Sequence, residues 1–189
     1  MGTMNVLALM SVVGCHEIIF SSSATVYGEN DKAYFNEESQ VNPISPYGRT
    51  KLFTEALIKD WVATMPKNRA IILRYFNPIG AHQSGMIGEN PKDEPNNLMP
   101  IILKVANKLQ QHLLLYGNDY PTRDGTGLRD YIHVCDLARG HILALNKIND
   151  FEKFEIFNLG SGTGYTVTEL VRKFEKVNDV RIPIKVTDR

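Results

Sequence analysis

Tyr47 and Lys51 stand four positions apart in Ser45-Pro46-Tyr47-Gly48-Arg49-Thr50-Lys51, downstream of the serine run Ser21-Ser22-Ser23. On a helix the i,i+4 spacing puts both side chains on one face. A phenol is a poor base at neutral pH, because its ordinary pKa is about 10. An ammonium within a few ångströms favours the phenolate and makes the oxygen a better proton acceptor. A tyrosine over a lysine can therefore move a proton on and off a sugar or alcohol hydroxyl. Such transfer commonly accompanies hydride transfer to a nicotinamide. By itself the pair carries little, because a chain with eight tyrosines often meets Tyr-x-x-x-Lys by chance. The plainer reading is a helix-face tyrosine beside a solvated lysine.

The elements around the pair change its weight. His16-Glu17-Ile18-Ile19-Phe20 reads as a short buried strand ending at Ser21–Ser23. Ligands of α/β sheets bind just beyond the carboxyl ends of the strands, and a serine there can hydrogen-bond the hydroxyl that the tyrosine deprotonates. A helix is expected over 47–65, ended by Pro66, and a strand over 70–76. Strand, helix, strand at this spacing is a βαβ unit and predicts a parallel sheet. Residues 3–14 read as the end of a helix stopped at Gly14. Further on, helices are expected at 98–111, 134–148 and 166–178, the last opened by Thr166 with Glu169 as a capping box. Strands are expected at 113–116, 154–158 and 182–186, with 129–133 extended. Residues 77–97 and 117–128 read as long loops, and a long loop inside a compact domain is usually functional.

The composition excludes several classes. The chain of 189 residues is 43% hydrophobic and 22% charged, an ordinary soluble globular balance. Its 21 basic and 21 acidic residues cancel, which gives no support to a nucleic-acid or membrane-surface binder. No apolar run reaches the length of a membrane span. The start, Met1-Gly2-Thr3-Met4-Asn5-Val6, has no basic n-region or small-residue cleavage site, and Val6 stands where a myristoylation signal wants Ser or Thr. Cys15 and Cys135 lack metal-ligand spacing and read as buried free thiols, which with the rest points to a reducing, cytoplasmic setting. His133 and His141 do not share a helix face at ligand spacing, so no metal site is expected.

Three other features have competing readings. Gly160-Ser161-Gly162-Thr163-Gly164 lies between a strand and a helix, but its spacing fits neither the dinucleotide nor the Walker pattern, so a structural turn is favoured. Arg129 suits bidentate binding of a phosphate, or else forms a structural pair with Asp130 or another carboxylate. Asn77 and Asn97 stand where elements meet the expected crevice, although loop asparagines more often serve turns.

As a set, these residues resemble a family. Ser21-Ser22-Ser23-Ala24-Thr25-Val26-Tyr27-Gly28, Ser45-Pro46-Tyr47-Gly48 with Lys51, Leu73-Arg74-Tyr75-Phe76-Asn77-Pro78 and Gly80-Ala81-His82 form its first part. Pro95-Asn96-Asn97-Leu98-Met99-Pro100, Tyr116-Gly117-Asn118-Asp119-Tyr120 and Asp124 to Val134 form the rest. Over essentially the whole chain this resembles the UDP-galactose (UDP-glucose) 4-epimerases of the extended short-chain dehydrogenase/reductase superfamily. The resemblance implies an α/β fold: a partial Rossmann-type parallel sheet in 1–77, and part of a smaller UDP-sugar-binding α/β domain in 78–189. Residues of about 129–148 would return to the first sheet. It implies NAD as cofactor, UDP-galactose and UDP-glucose as substrates, and a homodimer in the full-length form, paired through the helices at 1–14 and 47–65.

The resemblance also assigns roles. Tyr47 takes the sugar 4-hydroxyl proton, Lys51 assists it and bonds the nicotinamide ribose, and Ser23 bonds the same sugar oxygen. Ser23, Tyr47, Lys51 and Phe76 line the cofactor. Ser23, Ala24, Thr25, Asn77, Asn97, Leu98, Leu114, Leu115, Tyr116 and Arg129 hold the UDP-sugar, with Arg129 on the diphosphate. Sibling dehydratases carry an Asp-Glu pair where this chain has Ala24-Thr25, which argues against dehydration. The family's Gly-rich fingerprint precedes a first strand, and this chain starts in what reads as the middle of that domain. It also stops where the family's further nucleotide contacts begin. Two readings follow: a segment of an epimerase, or a truncated, non-catalytic product acting through a partner.

Overall fold

A computed structural model describes residues 2–29 and 34–189. In chain order the first elements are α1 (Gly2–Val13), β1 (Glu17–Ser23), a 3-10 turn (Ala24–Val26), α2 (Pro46–Thr64), β2 (Arg69–Tyr75), β3 (Asn77–Ile79) and α3 (Leu98–Ala106). Then come β4 (Leu113–Tyr116), β5 (Leu128–His133), α4 (Val134–Lys147), β6 (Phe154–Leu159), β7 (Gly164–Thr166), α5 (Val167–Asn178) and β8 (Ile184–Thr187). They divide into two compact units, residues 1–76 with 135–160, and residues 77–134 with 161–189. None of the described helices is long and apolar enough to cross a membrane.

The first unit is a three-stranded parallel sheet in the order β1-β2-β6. Because side chains alternate along a strand, β2 presents Ala70 and Ile72 to one face and Ile71 and Leu73 to the other. Ala70 and Ile72 pack with Leu7 and Met10 of α1 and Ile58, Trp61 and Val62 of α2. Ile71 and Leu73 pack with Ala144 and Ile148 at α4 and its end. Burial on both faces is why β2 reads as a continuous apolar run. The helix α1 stops at Gly14, whose φ is +72°, and Cys15 N–H closes the end on the Met10 carbonyl at 2.9 Å. Cys15 itself is exposed, against the expectation of a buried thiol. It sits on the turn just past the cap, and the apolar residues before it, Val12 and Val13, are exposed as well, so they form no interior around the thiol.

The second unit holds two small sheets, β3-β5-β7 and the parallel pair β4-β8. Its core is Ile102 and Val105 of α3, Leu113 of β4, Val171 of α5 and Ile182. The helix expected over 98–111 ends at Ala106, where Asn107 bonds the Leu103 carbonyl through both its backbone N–H and its side chain and Lys108 takes φ +60°. Strand β8 starts two residues later than expected, since Pro183 has no N–H to give a ladder. Strand β6 lies in the first unit's sheet, and the returning segment is 135–160, not about 129–148. Residues 129–133 belong to β5 in the second unit.

Candidate active site

Helix α2 is started by local chemistry. Ser45 accepts the Gly48 N–H on its side chain at 3.0 Å, and Pro46 takes the first helical position, where no N–H is needed. Tyr47 and Lys51 then emerge on one face. The Lys51 ammonium donates to the Ser21 carbonyl at 2.8 Å and lies 5.5 Å from the centre of the Tyr47 ring and 5.1 Å from that of Phe20. Tyr47 is 52% exposed, and no described residue hydrogen-bonds its hydroxyl. The helix can approach the end of β1 only because residue 48 is glycine. A Cβ there would lie 2.7 Å from the Thr25 carbonyl oxygen and 2.9 Å from the Pro43 Cβ. A second glycine guards the same turn: Gly28 has φ +71°, and a Cβ on it would fall 1.9 Å from the Asn42 carbonyl oxygen.

Ser23 closes β1 and is buried. Its oxygen accepts from the Thr25 N–H at 3.2 Å and the Thr25 hydroxyl at 3.0 Å. Both bonds use the serine as acceptor, which leaves its own proton for an oxygen brought to the site. Ala24 is half-buried and Thr25 exposed on the 3-10 turn. Phe76 is half-buried just past β2, and its N–H donates to the Leu159 carbonyl at 3.0 Å. The first unit thus gathers Ser23, Ala24, Thr25, Tyr47, Lys51 and Phe76 at the carboxyl ends of its parallel strands, where α/β sheets bind ligands.

Beneath them lies a polar layer that the sequence reading missed. The Glu55 carboxylate, one turn beyond Lys51, takes both arms of Arg74, from Nε at 3.0 Å and Nη2 at 2.6 Å, and accepts a hydrogen bond from the Ser22 hydroxyl. Arg74 Nη1 donates to the Tyr27 hydroxyl at 3.2 Å, which donates to Asn158 at 2.7 Å. All but Asn158 are buried. Burial disfavours the charged guanidinium, but the Glu55 and Tyr27 bonds outweigh it and hold Arg74 above its ordinary range. The available signal was a charge in the apolar strand run Ala70-Ile71-Ile72-Leu73-Arg74, since a buried charge requires a partner.

The second unit holds the other residues that the resemblance singled out. Asn77 is exposed at the start of β3, and Arg129 is exposed on β5. Among the described residues Arg129 donates only to the neighbouring Leu128 carbonyl, at 2.8 Å. Asp130 is not its partner: that carboxylate takes the Ser161 N–H at 2.8 Å, the Ser161 hydroxyl at 2.7 Å and the Gly162 N–H at 2.9 Å. Those bonds make the Gly-rich loop a structural turn whose N–H groups are already used. Asn97 stands at the N-cap of α3 without capping it, and its side-chain amide bonds Glu89 at 2.7 Å. Leu98 packs against the unit's core. On β4, Leu114 and Tyr116 face outward and Leu115 is buried. The described residues hold no His/Cys/Asp/Glu group able to bind a metal.

Residues 1–160 match the profile of the NAD dependent epimerase/dehydratase family. The chain belongs to that family. It is 49% identical over 189 residues to UDP-glucose 4-epimerase 2 of Arabidopsis thaliana, covering all of this chain and 54% of that protein. It is 47% identical over 188 residues to UDP-glucose 4-epimerase of Bacillus subtilis, covering all of this chain and 56% of that one. Among solved structures it is similar to the UDP-glucose-4-epimerase of Stenotrophomonas maltophila with bound NAD and formylated UDP-arabinopyranose. The TM-score is 0.95 at 46% identity, over 100% of this chain and 56% of that one. The UDP-glucose 4-epimerase from Bifidobacterium longum in complex with NAD+ and UDP follows at 0.92 and 43%, over 99% and 56%. The chain therefore spans about half the length of the relatives it matches.

The residues fit the nicotinamide-ribose end of the family's cofactor. The Lys51 ammonium has three N–H donors and gives one to Ser21, which leaves two for ribose hydroxyls. Phe76 offers a ring at the same strand ends.

Proposed function

We propose that this chain carries the catalytic segment of a UDP-glucose/UDP-galactose 4-epimerase. The carrying observation is the Lys51 ammonium, pinned to the Ser21 carbonyl at 2.8 Å, beside an exposed Tyr47 whose hydroxyl has no partner among the described residues. In this reading Tyr47 accepts the proton of the sugar 4-hydroxyl and later returns it. Ser23 donates its free O–H to the same sugar oxygen and fixes its direction. Lys51 holds positive charge beside the phenol and gives its two remaining N–H groups to the cofactor ribose. Phe76 flanks the nicotinamide. Bound NAD supplies the two-way hydride chemistry at C4 that side chains lack. Ala24 and Thr25 offer no acid–base pair for eliminating water, which favours epimerisation over dehydration.

Asn77, Asn97, Leu98, Leu114, Leu115, Tyr116 and Arg129 are proposed to hold the UDP-sugar, Leu115 through its backbone because its side chain is in the interior. Arg129 has an exposed guanidinium with no carboxylate partner among the described residues, which suits a diphosphate. The same reading makes the full-length protein a cytoplasmic homodimer. Exposed Met4, Leu9 and Val12 on α1 and Phe53 on α2 support a surface of that kind.

The test uses the purified chain and a chimera of the Bacillus subtilis relative in which this chain replaces the matching segment. NAD released on denaturation and conversion of UDP-galactose to UDP-glucose are measured in each. A chimera that retains NAD and converts the sugar supports the reading. A chimera that folds and retains NAD but converts nothing overturns it in favour of a non-catalytic relative.

A further inference from the structure

Ser22, Arg74 and Asn158 are register partners across β1, β2 and β6. On the same face of the sheet the two preceding rows are Phe20-Ile72-Ile156 and Ile18-Ala70-Phe154, both packed into the core under α1 and α2. The face thus turns from apolar to polar in one step, next to Ser23. Glu55 closes this polar row from α2, and Tyr27, just past the 3-10 turn that follows Ser23, closes it from the other side.

Burial along α2 shows what the row holds. The buried residues of the helix are Gly48, Glu55, Ile58, Trp61 and Val62. Its apolar anchors all lie C-terminal to Glu55, so no buried apolar side chain fixes the half that carries Tyr47 and Lys51. That half is held by the Gly48 approach, the Lys51–Ser21 bond and the Glu55–Arg74 pair. A buried ion pair contributes little net stability compared with apolar side chains of the same size. A two-armed guanidinium–carboxylate pair does fix direction and rotation.

We propose that Glu55 and Arg74 are positioning residues, which set the height and tilt of α2 over β1 and so place Tyr47 and Lys51 against Ser21–Ser23. From Ile58 to Tyr47 the helix runs about 16 Å at ~1.5 Å per residue. A tilt of about 4° over that lever moves the phenol by about 1 Å, and a misplacement of that size costs roughly 100-fold in rate. The kinetic side of this inference rests on the epimerase reading.

The experiment compares wild type with Glu55→Leu/Arg74→Met, Arg74→Lys and the milder Ser22→Ala. Kinetics are run in the chimera. In the chain itself, nitrogen-15 NMR follows the Lys51 ammonium, whose bond to Ser21 O slows its proton exchange. The double variant is expected to keep its NAD content and melting temperature, lose about 10- to 100-fold in kcat, and change KM for UDP-galactose by less than about 3-fold. The Lys51 ammonium signal is lost with it. Arg74→Lys regains part of both, and Ser22→Ala loses about 3- to 10-fold in kcat, still readable should the double variant fail to fold. Wild-type kcat with an unchanged Lys51 signal in these variants overturns the inference. So does a fall in kcat that only tracks the melting temperature while the Lys51 signal persists. A wild-type chimera that holds NAD without turnover overturns the epimerase reading instead, and the Lys51 signal then decides the positioning claim alone.

Discussion

Gly48→Ala separates position from stability at the candidate site. The added Cβ would meet the Thr25 carbonyl oxygen at 2.7 Å and the Pro43 Cβ at 2.9 Å. Both neighbours are fixed backbone or ring atoms, so relief requires the start of α2 to move. Reaching an ordinary contact of about 3.0 to 3.4 Å needs a shift of roughly 0.3 to 0.7 Å, well within what close-packed structure transmits. Overpacking costs about 1 to 3 kcal/mol, and replacing glycine by alanine in a helix returns up to about 1 kcal/mol. Net destabilisation is then about 0 to 3 kcal/mol. The shift falls on the residue next to Tyr47. If 1 Å of misplacement costs about 100-fold, 0.3 to 0.7 Å costs about 4- to 25-fold in kcat. The assay is steady-state conversion of UDP-galactose by the chimera, with urea denaturation of the same variant. Unchanged kcat together with unchanged stability would refute the claim that the Gly48–Thr25 contact sets the place of Tyr47.

Other expectations follow from the same geometry. Tyr47→Phe removes a hydroxyl with no partner among the described residues, so stability should change by less than about 0.5 kcal/mol while kcat falls at least about 100-fold; retained turnover contradicts the assignment of the base. Tyr27→Phe leaves an Arg74 N–H and the Asn158 side-chain oxygen short of a partner, and urea denaturation should show a loss of about 1 to 3 kcal/mol. Glu169 is held at a pKa of about 2, chiefly by its bonds from Arg123 and then the Thr166 N–H, below an ordinary carboxyl value of about 4.3. A depressed carboxyl contributes stability above its unfolded value and loses it as pH falls through the folded one. Thermal melts of Glu169→Gln should therefore depend less on pH than wild type between about pH 4.5 and 2, and identical acid limbs would contradict this.

Much of the first unit was legible because its signals are local and periodic. The continuous apolar run of β2, the stop at Gly14 and the Ser45-Pro46 start of α2 each fix an element through nearby residues, as the Thr166–Glu169 capping box does for α5 in the second unit. The short strands β3 and β7 were not legible. Each has three residues and exists through pairing with β5, whose partners are distant in sequence. The end of α3 was overrun for a related reason: Leu109 and Gln110 continue a helical pattern, and only the reversal at Lys108 breaks it. Tyr47, Lys51 and Ser23 could be chosen from residue type and spacing. The Glu55–Arg74 pair could not, because its members are 19 positions apart and become neighbours only when α2 lies on β2. Arg129 shows the converse. Its sequence neighbour Asp130 was a plausible partner, but successive residues on a strand point to opposite faces, and Asp130 turns to the 161–162 loop.

The central claim is that Tyr47 handles only the hydroxyl proton, while the hydrogen on the sugar C4 leaves and returns without meeting water. Conversion of UDP-galactose by the chimera in deuterium oxide, with mass spectrometry and NMR of the UDP-glucose formed, tests it most directly. The account predicts a product with no deuterium on C4. Deuterium at C4 would mean that the carbon is deprotonated by an exchanging base, and would contradict the roles assigned to Tyr47, Lys51 and Ser23.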